Sequence, residues 1–198
     1  MLHRRRVCAA AALILATAIP ATAHAGQREP VEALMRGFAA IRASRATFTE
    51  ERELPELDRP LLSSGTLSWQ APDRLEKHTT APIEEVLRIE GDTLTLERPQ
   101  QGVRQMLSLD RSPEVRPLVE AIRATLAGDL AALRRHYAVA FSGDPAGRWT
   151  LVLTPLSTRV LAAVQRVTLT GQGTAILGIE SQYGGGFARM RIEPVAER

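Results

Sequence analysis

The chain has 198 residues, with 25 basic and 22 acidic side chains and a single cysteine, Cys8. The three arginines at positions 4–6 account for the whole net charge of +3, so the rest of the chain is balanced and does not indicate nucleic-acid binding. Cys8 lies in the same N-terminal segment, so the remainder has neither a disulfide nor thiol chemistry, and its length suits one domain.

The N-terminus has the features of an export signal. After the arginines at positions 4–6, residues 7–19 form an apolar run that is shorter than the roughly 20 residues needed to span a bilayer. Small residues at both ends of the Ala-His-Ala sequence, residues 23–25, are typical of a signal-peptidase site. We expect residues 1–25 to be a signal peptide and residues 26–198 to be the mature domain, outside the cytoplasm. The alternative is an uncleaved anchor helix.

The first mature element is an amphipathic helix over residues 30–43. Its apolar side chains recur at helical spacing, at Val31, Leu34, Met35, Phe38 and Ile41. Six segments rich in β-formers follow and are separated by turn residues, at 46–52, 61–69, 74–80, 86–90, 93–98 and 103–109. Gly91-Asp92 is a two-residue hairpin signal between the fourth and the fifth of these strands.

The pattern then changes to helical spacing and back. Residues 114–126 and 130–136 are predicted to be helices, and Asp129 can cap the second of them. Five further strands are predicted at 137–141, 148–154, 165–170, 175–182 and 187–192. Because βαβ alternation is absent, we expect an α+β domain built on one large, curved antiparallel sheet. The helices would pack on its concave face or at its mouth.

The chain has no recognisable catalytic motif. No serine lies in a G-x-S-x-G elbow, and the only histidines of the mature domain, His78 and His136, lie on a predicted strand and at a helix end. The paired glutamates Glu50-Glu51 and Glu84-Glu85 are adjacent, so in a strand the two members of each pair point to opposite faces and cannot form a ligand set. We therefore expect no catalytic residue, no metal site and no cofactor.

Several segments resemble the LolA-type outer-membrane lipoprotein carriers. Residues 65–75, GTLSWQAPDRL, are similar to the family signature G-x-L-x-(aromatic)-x-x-P-x-x-(apolar). Residues 89–94, IEGDTL, and residues 149–155, WTLVLTP, are similar to two further family segments. The segments occur in the family's order and span nearly the whole mature chain.

The resemblance implies an open, strongly curved antiparallel β-barrel, a half-barrel with an N-terminal helix and a two-helix lid. Its apolar hollow would hold acyl chains of a lipoprotein or another lipid, passed from an inner-membrane donor complex to an outer-membrane acceptor by a monomeric carrier. By position, the hollow would be lined by Phe48, Leu67, Trp69, Leu75, Ile89, Leu94 and Leu96. The apolar face of the lid would consist of Leu118, Ile122, Leu126, Leu130 and Leu133. For each of these residues, the alternative to contact with a ligand is ordinary packing in the protein core.

Two positions depart from the family pattern. Well-studied carriers have an arginine directly before the signature proline that helps to latch the lid, whereas this chain has Ala71. Lys77 stands where an aromatic residue is common. Both differences favour a divergent relative with another lipidic cargo.

Two other functions are possible for such a domain. One is a sensor or accessory module that binds a protein through its concave face. The other is an envelope hydrolase, against which the missing catalytic motifs argue.

Overall fold

The computed structural model describes residues 28–55, 57–113 and 115–195, and the proposed signal peptide lies outside the described residues. The described helices are α1 Arg28–Ala39, α2 Arg116–Leu126, α3 Leu130–His136 and α4 Thr158–Ala163. Six strands precede α2: β1 Ala43–Arg52, β2 Leu61–Gln70, β3 Arg74–Ala81, β4 Glu85–Glu90, β5 Thr93–Arg98 and β6 Val103–Ser108. Five strands follow α3: β7 Tyr137–Gly143, β8 Arg148–Pro155, β9 Val164–Gln172, β10 Ala175–Tyr183 and β11 Gly186–Pro194.

The strands form one antiparallel sheet in the order β6-β5-β4-β3-β2-β1-β11-β10-β9-β8-β7. Short hairpins connect most neighbours, and the first and last strands meet in the middle of the sheet, where β1 pairs with β11. At the β4–β5 turn Gly91 has φ of 53°, a left-handed conformation that glycine adopts without steric cost. Strands β6 and β7 are the two edges and do not pair with each other, so the sheet is not closed.

Helices α1, α2 and α3 cover one face of the sheet, which we call the inner face. The main core joins α1, α2 and α3 to β7, β8 and β9, and its members include Phe38, Leu133 and Leu151. A second core cluster joins α2 to the other half of the sheet through Val119 and Ile89. Helix α2 thus packs against both ends of the strand order, which requires a strongly curved sheet.

The α2–α3 turn is held close to α1 by a glycine. Gly128 has φ of 69°, and a Cβ atom there would lie 2.1 Å from the carbonyl oxygen of Met35. A side chain at this position is therefore excluded both by backbone conformation and by contact. Directly after it, the carboxylate of Asp129 accepts a hydrogen bond from the Ala132 amide at 2.8 Å and caps α3.

The architecture agrees with the sequence-based expectation. A single open antiparallel sheet carries an N-terminal helix and a two-helix segment on its inner face, and the predicted fold class is confirmed. The predicted strands and helices are all present, with bounds that differ by a few residues. Helix α4 was not predicted, because its six residues are too few to establish a helical period.

Candidate functional site

The inner face of strands β2 to β5 carries two parallel rows of side chains, defined by the strand register. Successive cross-strand partners form the upper row: Trp69, Leu75, Ile89 and Leu94. The middle row is formed in the same way by Leu67, Lys77, Leu87 and Leu96. The period of two along each strand places both rows on one face. Because the rows are almost wholly apolar, this wall suits a hydrocarbon ligand.

The two rows differ in how well they are covered. In the upper row, Trp69 and Ile89 are buried, and Ile89 packs with Leu109 and Val119 in the second core cluster. In the middle row, all four side chains are only half-buried. The helices therefore cover the upper row and leave the middle row as partly open apolar surface.

Helix α2 presents an apolar stripe of its own, formed by Leu118, Ile122 and Leu126, which we call the helix stripe. At 3.6 residues per turn, the stripe lies on the opposite side of the helix from Arg116 and Glu120. Arg116 pairs with Asp92 and Arg123 lies near Asp73, so the charged side of α2 faces the turns of the sheet. Leu118 and Leu126 are half-buried and Ile122 is 46% exposed, so core packing leaves this apolar surface partly open to water.

The other two proposed lid residues lie in α3 and are part of the main core. Leu133 is 1% exposed and belongs to the main core, and Leu130 packs against it. Of the proposed lid residues, the helix stripe therefore offers the accessible apolar surface, whereas Leu133 stabilises the fold.

Phe48 extends the wall onto β1. It is buried, faces Gly65 on β2 and Ile192 on β11, and lies in neither core cluster. With this residue, the structure brings the seven sheet residues proposed from the sequence onto one face: Phe48, Leu67, Trp69, Leu75, Ile89, Leu94 and Leu96. Their contact with a ligand remains a prediction.

One charged pair interrupts the apolar wall. The ammonium of Lys77 donates a hydrogen bond to Glu50 Oε2 at 2.5 Å and lies 4.8 Å from the centre of the Phe48 ring. Glu50 also accepts from the Ser63 hydroxyl at 3.3 Å and pairs with Arg52 at 3.4 Å. Burial alone would raise the pKa of Glu50, but the hydrogen bond and charge of Lys77, helped by Arg52, hold that pKa below its usual range.

Arg123 connects helix α2 to the turns of the sheet. Arg123 reaches from α2 to the sheet turns, where it donates to the Gly91 carbonyl oxygen and lies 3.8 Å from the Asp73 carboxylate. Its side chain is only 13% exposed, so the contact is largely protected from water. Arg123 thus holds α2 against these turns.

A second contact fixes the start of α2. The Tyr137 hydroxyl donates to the Pro117 carbonyl oxygen at 3.1 Å. Burial raises the pKa of Tyr137 to about 12, so the hydroxyl stays protonated and remains a donor at physiological pH. Together with Arg123, this tyrosine ties α2 to both halves of the sheet.

Two surface depressions lie on the outer face of the sheet, around β1, β2 and β11. Their volumes are about 450 and 380 Å³. Most of their lining residues are polar, among them Thr49, Glu51, Ser64 and Arg191, although apolar atoms make up most of the exposed lining.

Over the described ranges, no cluster of three or more His, Cys, Asp or Glu residues is suitable for a metal ion. His78 lies beside Glu84, with 3.3 Å between its Nε2 and the carboxylate. In the same part of the chain, the helices are all too short or too polar to cross a membrane.

The comparison with protein families identifies the class. The model of the outer membrane lipoprotein carrier protein LolA-like family matches residues 23–190. The chain belongs to this family.

Solved structures with a similar fold are distant in sequence. A LolA superfamily protein from Nitrosomonas europaea is 11% identical, with a TM-score of 0.44, and the match covers 85% of this chain and 94% of that protein. The Mycobacterium tuberculosis lipoprotein LppX is 10% identical, with a TM-score of 0.43 and coverages of 84% and 94%. The Pseudomonas aeruginosa MucA/MucB complex matches at 13% identity and a TM-score of 0.45, over 88% of this chain and 59% of that one. A search of curated protein sequences found no match.

Sequence reasoning missed the two polar features of the site. Lys77 and Glu50 are 27 residues apart and lie on different strands, so only the register brings them together. Arg123 is separated from Gly91 by 32 residues and contacts it because α2 lies against the β4–β5 turn. The one available signal was the presence of a lysine, Lys77, at a position where the family commonly has an aromatic residue.

Proposed function

We propose that this protein is a carrier that holds the acyl chains of a lipoprotein or another lipid between the middle row and the helix stripe. The observation that carries the proposal is that the inner face of the sheet and helix α2 each present a partly exposed apolar surface, and we infer that the two line one hollow. Leu67, Leu87 and Leu96 form one of them, and Leu118, Ile122 and Leu126 form the other. In a protein that binds nothing there, a small shift of α2 would bury both.

The energetics agree with reversible transport. Each methylene group that leaves water contributes about 0.8 kcal/mol, so burial of ten of them contributes about 8 kcal/mol before the cost of ordering the chain. That magnitude corresponds to a dissociation constant of about 1 μM or weaker. A carrier with this affinity keeps its cargo out of water and still releases it to an acceptor that binds the cargo more tightly.

The carrier acts in the periplasm after removal of residues 1–25, and residues 26–198 are its single working domain. It receives cargo from an inner-membrane donor complex, delivers it to an outer-membrane acceptor, and is a monomer in transit. It makes and breaks no covalent bond, and it uses neither a metal nor a cofactor. The lid opens by movement of α2, which releases the contact of Arg123 with the sheet turns.

Native mass spectrometry of protein purified from its own periplasm tests this function. The expected spectrum contains protein with one bound acyl species, and the species is lost in the variant Leu126→Arg, which places a charge in the helix stripe. The protein should remain folded because Leu126 is only half-buried. Empty wild-type protein that captures a membrane-bound protein partner would favour the accessory-module function instead.

A further inference from the structure

The charged pair of Lys77 and Glu50 lies within the apolar wall rather than at its rim. Lys77 stands in the middle row between Leu67 and Leu87. Its ammonium lies above the ring of Phe48, itself a buried residue. A polar group in this position is in contact with any chain that lies along the wall.

Stability alone does not account for this pair. The Lys77 side chain is 23% exposed and that of Glu50 is 10% exposed, so both charges have lost much of their water. Removing charges from water costs about as much as the pairing returns, and apolar residues of similar size often stabilise a protein equally well. The neighbours Leu67 and Leu87 show that apolar residues fit this row. The pair therefore calls for a functional explanation.

The charges around Glu50 do not balance. Two cations, Lys77 and Arg52, flank one carboxylate, which leaves an excess of one positive charge. An ammonium has three N–H donors, and Glu50 takes one of those of Lys77. By contrast, the second charged pair on this face, Arg98 with Glu85 at 2.7 Å, is balanced and more exposed.

A buried donor without a partner lies on the same face. Among the described residues, the Trp69 indole N–H is buried and has no hydrogen-bond partner. Trp69 pairs with Leu75, which lies two residues before Lys77 on β3. Trp69 and Lys77 are therefore diagonal neighbours on the inner face. Buried donors without partners are rare and costly, so this wall is short of acceptor atoms.

We propose that the cargo is an amphiphile with an anionic head group, a carboxylate or a phosphate, and that Lys77 binds this head group while the acyl chain lies along the middle row. The inference rests on the proposed carrier function and names its class of cargo. The head group supplies the acceptor atoms that the wall lacks and balances its excess charge. Glu50 holds the lysine in place and competes with the head group for it, so that the cargo can leave.

The test compares three ligands with the same eighteen-carbon chain: oleate, oleyl phosphate and the neutral oleyl alcohol. Isothermal titration of each into wild-type protein should show that one or both anions bind about tenfold more tightly than the alcohol, or more. Preference for oleate assigns a fatty-acid head group, and preference for oleyl phosphate assigns a phospholipid-like one. Either outcome supports the proposal. Equal affinities for the three ligands would overturn it and leave the carrier function intact, whereas failure of all three to bind would refute both.

Variants assign the preference to Lys77. In Lys77→Met the ratio of anion to alcohol affinity should fall to about one, since methionine keeps the bulk and loses the charge. In Glu50→Gln, which removes the competing carboxylate, the same ratio should rise. Lys77→Arg should keep a ratio above one. An unchanged ratio in both Lys77→Met and Glu50→Gln contradicts the proposal.

A double variant separates this role from folding. Lys77→Met alone leaves the Glu50 carboxylate buried without its main partner and can prevent folding. The double variant Glu50→Gln, Lys77→Met removes both charges and should fold. Its ratio of anion to alcohol affinity should be about one, and a ratio like that of the wild type would overturn the proposal.

Discussion

Substitution of Ile122 by alanine tests whether the helix stripe contacts cargo. Ile122 is 46% exposed, lies on the side of α2 opposite Arg116 and Glu120, and belongs to neither core cluster. In the empty protein its outer half contacts water. In the loaded protein, we expect that half to contact an acyl chain.

The magnitude follows from the area that cargo would cover. Full burial of an isoleucine side chain contributes about 1.5–3 kcal/mol, so the exposed half of Ile122 contributes roughly 1 kcal/mol to binding. Ile122→Ala should therefore weaken acyl-chain binding by about fivefold. The free energy of unfolding of the empty protein should change much less than the roughly 2–5 kcal/mol typical of a fully buried position such as Leu133.

The assay is a fluorescence titration with a dansyl-labelled fatty acid, together with urea denaturation to report stability. The matched control is Leu62→Ala, because Leu62 is 67% exposed and lines a depression on the outer face. We expect this control to bind the probe like the wild type. Unchanged binding by Ile122→Ala would refute a role for the helix stripe, and weaker binding by Leu62→Ala would place the cargo on the outer face.

Three further outcomes follow from the contacts of the lid and the wall. Gly128→Ala should lower the free energy of unfolding by roughly 1–3 kcal/mol in urea denaturation, because the residue has φ of 69° and its new Cβ would meet the Met35 carbonyl oxygen at 2.1 Å. Arg123→Met should accelerate amide exchange in α2 and uptake of the dansyl probe, whereas the exposed pair partner Arg104→Met should change neither. Glu50 has a lowered pKa in the folded protein, so its stabilising contribution is complete above its ordinary pKa of 4.5 and is lost as the pH falls below that value. The free energy of unfolding of Glu50→Gln should therefore depend less on pH in this range than that of the wild type.

The architecture could be predicted because its determinants are local. Alternation of apolar residues specified the strands, Gly91-Asp92 specified a hairpin, and Asp129 marked the start of α3. The short α4, Thr158–Ala163, could not be predicted, since it is stabilised by packing against β8 and β9 rather than by its own period.

The site was predictable only in part, because its specific features depend on register and helix orientation. The family resemblance grouped Leu133 with Ile122 as lid residues, and the structure places Leu133 in the main core, beyond the turn at Gly128. The pairing of Lys77 with Glu50 depends on the alignment of three strands, β1, β2 and β3, which sequence patterns do not specify.

Photo-crosslinking tests the central claim, that cargo lies between the middle row and the helix stripe, most directly. A fatty acid that carries a diazirine in its chain would be bound, irradiated and mapped on the protein by peptide mass spectrometry. The account predicts adducts on the inner-face strands β2 to β5 and on α2, at or beside Leu67, Leu87 and Ile122. Adducts confined to the outer face, at residues such as Thr49 and Leu62, would contradict it.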